Sequence, residues 1–250
     1  NSPRLDHDDS FAPHDYDVLY HLAANMNATS DTAVHMLWPL FRLRPHRMII
    51  VGSSKQYGVM PAGVPTPETW LQNPTTGYGR GKALAEHYAL EAAGSGVEVI
   101  AARPFDHWAP WVPTRFAVSD WVRQAVSGAK AIRVGRIEGV VRDILPVIDV
   151  CRAYRLLAEQ GVPGEAYNVC SGEEVQLREV LGMVRNHMGH HQVVIDATLD
   201  RLVNRYERGD ATKLRALGWA PYPVGFEAVS NLVHSIYTWQ FLERHGRMPL

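Results

Sequence analysis

The chain has 250 residues, of which 46% are hydrophobic, and its formal net charge at pH 7 is −1. This length and composition are sufficient for a substantial core, so we expect one large α/β unit with a smaller second lobe. The near-zero charge gives no electrostatic reason to expect nucleic acid or an acidic membrane surface as a partner. No apolar run reaches the ~18–20 residues that a membrane-spanning helix needs, so we expect no membrane partner either.

Predicted strands and helices alternate along the first half of the chain, which is typical of a parallel sheet whose strands are connected by helices. Apolar runs and helical spacing predict strand 17–22, helix 29–43, strand 48–51, a helix from Tyr78 to about residue 93, and strand 97–102. A loop rich in Pro and Gly, residues 59–76, precedes the Tyr78 helix.

The second half continues this alternation with shorter elements. We predict a loop at 104–115, helix 116–127, strand 132–134, helix 148–159, strand 167–169, helix 177–187, and helices 210–217 and 226–244. Ser171, with Glu174 three residues later, predicts a capping box before helix 177–187. Cys151 and Cys170 are the only cysteines. Their apolar contexts predict buried free thiols in a reducing cytoplasm rather than a disulfide.

Two segments between these halves carry residues with catalytic chemistry, VGSSKQYG at 51–58 and YGRGK at 78–82. Tyr78 and Lys82 are four residues apart near a helix start, so their side chains share one helix face. We expect the Lys82 cation to favour the phenolate and to lower the pKa of Tyr78 from about 10 toward working pH. Together they could move a proton beside a substrate carbonyl. Ser53, at the end of a buried strand, would hydrogen-bond the oxygen of that carbonyl. The alternative is an exposed tyrosine and a solvated lysine on an amphipathic helix.

These segments resemble the extended short-chain dehydrogenase/reductase family, whose signature is a Ser or Thr after a strand followed by Tyr-x-x-x-Lys. Six further stretches are similar to family motifs: DVLYHLAA at 17–24, ARPFDH at 102–107, VGRIEGVVRD at 134–143, VIDVCRAY at 147–154, GEAYNVCSG at 164–172 and GDATKLRALGW at 209–219. Together they are most similar to the branch that contains GDP-mannose 4,6-dehydratase and GDP-4-keto-6-deoxymannose reductase.

The resemblance implies a Rossmann-like, doubly wound parallel sheet at 1–105 and a substrate-binding lobe at 106–250 with segments that return to the core. It implies catalytic roles for Ser53, Tyr78 and Lys82, and a homodimer paired through the Thr29 and Tyr78 helices as a four-helix bundle. NADP or NAD would contact Leu22, Ala23, Ala24, Tyr78, Lys82, Arg103, Pro104 and Phe105. A nucleotide sugar would contact Ser54, Lys55, Asp106, His107 and Arg142.

Three features depart from the family pattern. Lys55 occupies the place where 4,6-dehydratases carry an acid, usually Glu, so dehydration by the usual route is not expected. Asp106 replaces the usual Asn, and its charge would repel a diphosphate. The first glycine is Gly52, so the glycine-rich loop that binds a dinucleotide pyrophosphate is not found upstream. We expect this loop to be missing from the sequence as given rather than lost, because a sheet without two strands would expose an apolar face.

The residues therefore favour a keto-reductase or related C4 redox enzyme acting on a nucleotide sugar, most consistent with a GDP-linked one. A C4 epimerase or an atypical dehydratase is the first alternative. The second is a fold relative that has lost its dinucleotide site and serves non-redox chemistry or binding. Two clusters lack the fixed spacing of metal ligands, and we predict no metal site. The first comprises His7, Asp8, Asp9, His14 and Asp15, and the second comprises His187, His190 and His191.

Overall fold

The computed structural model describes residues 16–22, 37, 43–109, 116–189, 192–199 and 204–244. The strands are β1 Val18–His21, β2 Arg47–Val51, β3 Glu98–Pro104, β4 Asp106–Trp108, β5 Ala131–Val134, β6 Val141–Arg142, β7 Ile144–Pro146, β8 Ala166–Val169, β9 Val175–Gln176, β10 Gln192–Ile195 and β11 Tyr206–Glu207. The α-helices are α1 Gly77–Glu91, α2 Ala117–Val126, α3 Val147–Gln160, α4 Leu177–Met188, α5 Thr212–Arg215 and α6 Phe226–Arg244.

The chain divides into two compact units that interleave in sequence. Unit 1 holds the described residues of Asn1–Gly58, Glu68–Pro104 and Ala153–Asn168, and unit 2 holds those of Val59–Pro67, Phe105–Arg152 and Val169–Leu250. Among the described residues, no helix combines the length and the apolar character needed to cross a membrane.

Unit 1 is built on a four-stranded sheet in the order β1-β2-β3-β8. β1 pairs with β2 and β2 with β3 in parallel register, and the Ala101 amide of β3 donates to the Glu165 carbonyl at the start of β8. β2 is a continuous apolar run whose Met48, Ile49 and Ile50 are almost fully buried, as expected for a strand covered on both faces. The prediction of an α/β fold with a parallel sheet is confirmed.

Helix α1 packs on this sheet through small side chains. Ala85 and Ala89 lie four residues apart and form one buried cluster with Met48 and Ile50 of β2 and with residues of β3. This spacing places both alanines on one face of the helix and brings its backbone close to the strands. A 3-10 turn, Ala92–Ser95, follows the helix and ends at Gly96, whose φ is 92°. This is a left-handed conformation that glycine adopts without steric cost.

Unit 2 has a separate core in which α2, α4 and α6 contribute apolar faces. Buried members include Trp121 and Val122 of α2, Val180 of α4, and Val233 of α6. Its strands are short and form three small sheets: β10 with β5, β4 with β7, and β11-β6-β9. We predicted a loop at 104–115, which is wrong at Asp106–Trp108, because these residues pair with Ile144–Pro146 as β4 and β7.

A buried carboxylate in unit 2 accounts for a second wrong prediction. Asp143 is fully buried. Its Oδ1 accepts from the Ser171 amide at 2.6 Å and hydroxyl at 2.7 Å, and its Oδ2 accepts from the Gly172 amide at 2.9 Å and the Gly209 amide at 3.3 Å. We call this group the Asp143 cluster. Ser171 therefore does not cap a helix, since α4 begins at Leu177 without a side-chain cap.

Three other sequence predictions meet the structure differently. Both cysteines are free, but only Cys170 is buried, and the prediction of a buried Cys151 is wrong. Cys151 lies on α3 beside Val150 and Ala153, which take the buried face. The predicted helix 210–217 shortens to Thr212–Arg215. The predicted helix 29–43 falls almost wholly outside the described residues, where only residues 37 and 43 can be placed.

Candidate active site

The turn after β2 presents the predicted catalytic serine. Ser53 caps a 3-10 turn formed by Ser54–Gln56, and its Oγ accepts from the Lys55 amide at 3.2 Å. The Gln56 side chain reaches back, so that its Oε1 accepts from the Ser53 amide at 2.5 Å. Ser53 Oγ also accepts from the Gln56 amide, and this bond and the one to the Gln56 side chain form a capping box, which fixes the backbone around Ser53. Ser53 and Ser54 are both buried.

The first turn of α1 lies directly against this serine turn. Thr76 caps the helix by accepting from the Gly79 amide at 3.0 Å. A Cβ atom on Gly79 would lie 2.4 Å from the Lys55 carbonyl oxygen, so only glycine permits the approach. Tyr78 precedes this contact and is half-buried. The structure therefore brings the Ser53 turn and the start of the Tyr78 helix together.

Lys82 fixes α1 to the same strand end at a second point. Its Nζ donates to the Val51 carbonyl oxygen at 2.6 Å, and the residue is buried. Burial lowers the pKa of Lys82 from its ordinary 10.5 to about 8, because desolvation disfavours the ammonium. The alternative considered from the sequence, a solvated lysine on the helix surface, is thereby excluded for Lys82. Lys82 thereby attaches α1, which carries Tyr78, to the end of β2, which Ser53 follows.

His21, at the end of β1, lies close enough to Lys82 for the lysine charge to affect its pKa. Burial first, and the charge of Lys82 second, lower the pKa of His21 from its ordinary 6.5 to about 4. Within the described part of the chain, neither ring nitrogen has a hydrogen-bond partner. The imidazole is therefore neutral at pH 7 and places a second polar group at the carboxyl ends of the parallel strands.

Beneath the serine turn, unit 1 contains a buried polar cluster that we call the Glu86 cluster: Gln56, Tyr57, Gln72, Glu86 and Arg103. Arg103 donates to both carboxylate oxygens of Glu86, at distances of 2.5–3.1 Å. The Arg103 and Glu86 side chains are 7% and 2% exposed. Gln56 Nε2 donates to Glu86 Oε2 at 2.9 Å, and Gln72 Nε2 donates to Oε1 at 2.9 Å. The carboxylate is thus paired with a cation and with two amides.

The predicted cofactor contacts occupy different environments. Arg103 also donates to the Tyr57 hydroxyl and to the Glu68 carbonyl, both at 2.8 Å, so its guanidinium is engaged inside unit 1. Phe105 is buried, whereas Leu22 is 58% exposed. Pro104 ends β3. Ala23 and Ala24 lie outside the described residues, and the cofactor roles of this group stay predictions.

Three of the predicted substrate contacts lie together in unit 2. Arg142 Nε is 3.3 Å from Asp106 Oδ2, and the guanidinium also donates to the Val141 and Asn204 carbonyls, each at 2.7 Å. The His107 Nδ1 lies 3.1 Å from the Phe105 carbonyl oxygen. Arg142 is buried, so it serves partly to hold this region together. The other two predicted contacts, Ser54 and Lys55, lie in unit 1.

Among the described residues, no three His, Cys, Asp or Glu side chains are grouped as a metal site requires. His187 lies with its ring 5.7 Å from that of Phe226. The remaining histidines of the two clusters, His7, His14, His190 and His191, fall outside the described residues.

Sequence analysis missed Glu86 and Gln56. Glu86 follows Tyr78 by eight residues and Lys82 by four, so the helical spacing already placed it on the same face. No pattern pointed to Gln56, whose side chain has three partners: the Ser53 amide of its own turn, Glu86 of α1, and Gln72 Oε1, to which Nε2 donates at 3.3 Å.

Comparison with known proteins identifies the family. Residues 4–170 match the profile that defines the NAD dependent epimerase/dehydratase family. The chain belongs to this family. The resemblance to extended short-chain dehydrogenases/reductases is thereby confirmed.

Two curated relatives illustrate the range of activities in the family. GDP-6-deoxy-D-mannose reductase from Pseudomonas aeruginosa is 32% identical over 182 residues, which cover 69% of this chain and 60% of that protein. dTDP-glucose 4,6-dehydratase from Streptomyces antibioticus is 28% identical over 175 residues, 68% of this chain and 51% of that protein. The chain thus spans between half and 60% of the length of these relatives.

Solved structures agree with the fold. The structure of RMD from Pseudomonas aeruginosa complexed with NADPH has a TM-score of 0.80 and 27% identity, covering 89% of this chain and 82% of that chain. The dTDP-glucose 4,6-dehydratase from Bacillus anthracis, in complex with NAD, has a TM-score of 0.78 and 23% identity, covering 91% and 74%. The expected Rossmann-like fold is confirmed.

Proposed function

We propose that this protein reduces the C4 carbonyl of a GDP-linked 4-keto-6-deoxy sugar, with NADP or NAD as cofactor. The observation that carries the proposal is the attachment of α1 to the end of β2, by Gly79 against Lys55 and by Lys82 on Val51. This attachment joins the elements that bear Ser53, Tyr78 and Lys82. The 32% identical reductase from Pseudomonas aeruginosa supports reduction as the reaction, and the structural relative with NADPH supports the cofactor class.

The polar side chains at the ends of the parallel strands fit a nicotinamide nucleotide. In parallel α/β sheets, dinucleotides bind outside the carboxyl ends of the strands, and Ser53, Lys82 and His21 lie at those ends of β1 and β2. Lys82 would hold the nicotinamide ribose, as the family resemblance implies. A reduced nicotinamide, when bound, supplies the hydride that the carbonyl carbon receives.

The side chains of this chain supply the proton and the orientation. As C4 accepts the hydride and the C=O π bond breaks, Tyr78 would donate its phenolic proton to the developing alkoxide oxygen, so that the carbonyl becomes a hydroxyl and Tyr78 becomes a phenolate. Ser53 hydrogen-bonds the same oxygen and orients it. Lys82, as a cation below a pKa of about 8, stabilises the phenolate that Tyr78 leaves behind.

Lys55 favours reduction over dehydration. The family resemblance places an acid here in 4,6-dehydratases, where it moves a proton at the sugar's C5 and C6. In this chain the Lys55 amide is bonded to Ser53 Oγ and its carbonyl lies against Gly79, so the position belongs to the same turn as the catalytic serine. A cationic side chain at this position does not perform that acid/base step in the same way.

Substrate binding is proposed for Ser54, Lys55, Asp106, His107 and Arg142. The sequence raised the objection that Asp106 repels a diphosphate. Its 3.3 Å pairing with Arg142 reduces that objection, because the guanidinium offsets the carboxylate charge.

Assembly and location are proposed from the same resemblance. We propose a homodimer in which α1 contributes to a four-helix bundle. The two free cysteines are consistent with the cytoplasm, where thiols stay reduced.

The experiment is reduction of GDP-4-keto-6-deoxymannose by the purified full-length protein, followed as NADPH oxidation at 340 nm. Tyr78→Phe removes the proton donor, and we expect kcat to fall by about 10²–10⁴-fold, the range typical of general acid catalysis. Tyr88→Phe, on the exposed face of the same helix, is the matched control and should keep kcat within about twofold.

Product analysis separates the alternatives. Conversion of a GDP-4-hydroxy sugar into its C4 epimer without net NADPH consumption would identify an epimerase, and water loss from GDP-mannose would identify a dehydratase. A wild-type protein that binds no dinucleotide by native mass spectrometry contradicts the redox proposal and favours a fold relative with a lost cofactor site.

A further inference from the structure

Gln56 joins the serine turn to the helix that carries Tyr78 and Lys82. Its Oε1 accepts from the Ser53 amide at 2.5 Å, and its Nε2 donates to Glu86 Oε2 at 2.9 Å. Glu86 lies on α1, eight residues after Tyr78 and four after Lys82, on the same helix face. A single fully buried side chain therefore connects the backbone of Ser53 with α1.

The α1 end of this connection is held firmly. Glu86 is paired with Arg103 of β3, at 2.5 Å between Oε1 and the guanidinium, so its carboxylate cannot turn away without breaking a buried ion pair. A hydrogen bond to an ionised acceptor is also stronger than one between neutral groups. Gln56 thus links Ser53 to a carboxylate whose position is already set by the sheet.

Gly52 leaves the room that this connection needs. A Cβ at Gly52 would lie 2.1 Å from Gln56 Oε1 and 3.0 Å from Glu86 Oε2. Any side chain at position 52 would therefore displace the Gln56 amide from both partners. The connection therefore depends on a glycine immediately before the serine. A side chain at position 56 that only filled space would not require this glycine.

Resting on the function proposed above, we propose that Gln56 is a positioning residue that holds Ser53 in register with Tyr78 and Lys82. It does not touch the reacting atoms. It fixes the Ser53 amide, and through it the Ser53 hydroxyl, relative to the helix that carries the proton donor. Errors of about 1 Å in such alignment can lower rates by about 10²-fold.

The first test compares Gln56→Leu with Gln72→Leu. Both variants remove an amide that donates to Glu86, and both break the 3.3 Å hydrogen bond from Gln56 Nε2 to Gln72 Oε1, but only Gln56 also reaches Ser53. For Gln56→Leu we expect kcat to fall by about 10–100-fold, with KM for the sugar nucleotide and Kd for NADPH within about threefold. For Gln72→Leu we expect kcat within about threefold. Equal losses of kcat in the two variants, or a Gln56→Leu enzyme with wild-type kcat, would overturn the proposal.

Gln56→Glu tests rescue by a side chain of the same shape. Its carboxyl group, when protonated, accepts from the Ser53 amide and donates to Glu86 as the amide does, but when ionised it repels Glu86. We therefore expect kcat of Gln56→Glu relative to wild type to be highest at low pH and to fall as pH rises. A relative kcat that does not vary with pH contradicts this role.

Hydrogen exchange of the Ser53 amide provides a readout that needs no turnover. We expect peptides covering residues 52–57 to exchange faster in Gln56→Leu and at the wild-type rate in Gln72→Leu. Unchanged exchange in Gln56→Leu rejects the connection itself, whatever the enzyme does. If wild-type protein shows the protection but reduces no sugar nucleotide, the proposed reaction fails while the positioning of Ser53 stands.

Discussion

The two units each bury a carboxylate completely, but they stabilise it in different ways. In unit 1, Glu86 is paired with the Arg103 guanidinium and with two side-chain amides. In unit 2, the described partners of Asp143 are a hydroxyl and three backbone amides. Burial raises the pKa of Asp143 from its ordinary 3.8 to about 6, although these hydrogen bonds partly lower it.

The difference shows which effects neutral hydrogen-bond donors have on a buried carboxylate and which they lack. Four hydrogen bonds orient the Asp143 carboxylate but do not offset its desolvation. In unit 1, burial acts to lower the pKa of Arg103, but hydrogen bonding and charge from Glu86 outweigh it and raise that pKa. The cluster next to the proposed catalytic residues therefore pairs its carboxylate with a cation, whereas the described donors of the Asp143 cluster are neutral.

The largest expected effect comes from breaking the ion pair of unit 1. Arg103→Met leaves Glu86 buried without its cation, which should lower the free energy of unfolding by about 3–5 kcal/mol. Urea denaturation measures the change. Arg178→Met is the control, since its ion pair with Glu138 is largely exposed and should contribute no more than about 1 kcal/mol. Similar losses in the two variants would show that the buried pair is not special.

The next effect is a pH dependence specific to unit 2. Because the pKa of Asp143 is higher in the folded protein than its ordinary value, its stabilising contribution is fully present below pH 3.8 and is lost as pH rises through about 6. A rise of two units corresponds to roughly 3 kcal/mol. Denaturation of wild type and Asp143→Asn between pH 4 and 7 should show the variant losing less stability over that interval. Parallel pH profiles would contradict this sign.

A smaller effect is expected at the edge of the Glu86 cluster. Tyr57 accepts from Arg103 at 2.8 Å and donates to Asn168 Oδ1 at 2.7 Å. Tyr57→Phe removes both hydrogen bonds but keeps the ion pair, so the free energy of unfolding should fall by about 1–2 kcal/mol. Thermal unfolding gives the value. A loss as large as that of Arg103→Met would mean that the hydroxyl, not the charge pairing, dominates this cluster.

The smallest expected effect is Ser171→Ala, which removes one of the four donors to Asp143. We expect a loss of about 1 kcal/mol and a further rise in the pKa of Asp143, since the hydroxyl bond favours the ionised form. Carbon-13 NMR of the aspartate carboxyls can follow the titration. A pKa that falls in this variant would show that the hydroxyl does not stabilise the carboxylate.

The parallel sheet and the proposed catalytic residues were predictable because each depends on local sequence. β2 is an unbroken apolar run, and Tyr78 and Lys82 keep helical spacing. Unit 2 was less predictable because its strands have two to four residues and pair across long separations. Val141–Arg142, for example, pairs with residues of β9 and β11, and such short segments carry too little periodicity to indicate a strand.

The supporting residues of the site were harder to predict than the catalytic ones. The spacing of Glu86 indicated its helix face, but its cation comes from β3, 17 residues further on. Ser171 and Glu174 have the spacing typical of a capping box, yet in the folded protein the Ser171 hydroxyl donates to Asp143. Cys151 has apolar neighbours and still faces solvent, because helical geometry alternates buried and exposed positions within three residues.

The interleaving of the two units has a consequence for recombination. The chain passes from one unit to the other after residues 58, 67, 104, 152 and 168. A single crossover at any point therefore transfers an incomplete unit. Under the proposed function, grafting unit 2 from a relative to change the accepted sugar would require three separate segments to be exchanged together. Point substitutions would then change specificity more readily than the exchange of whole segments.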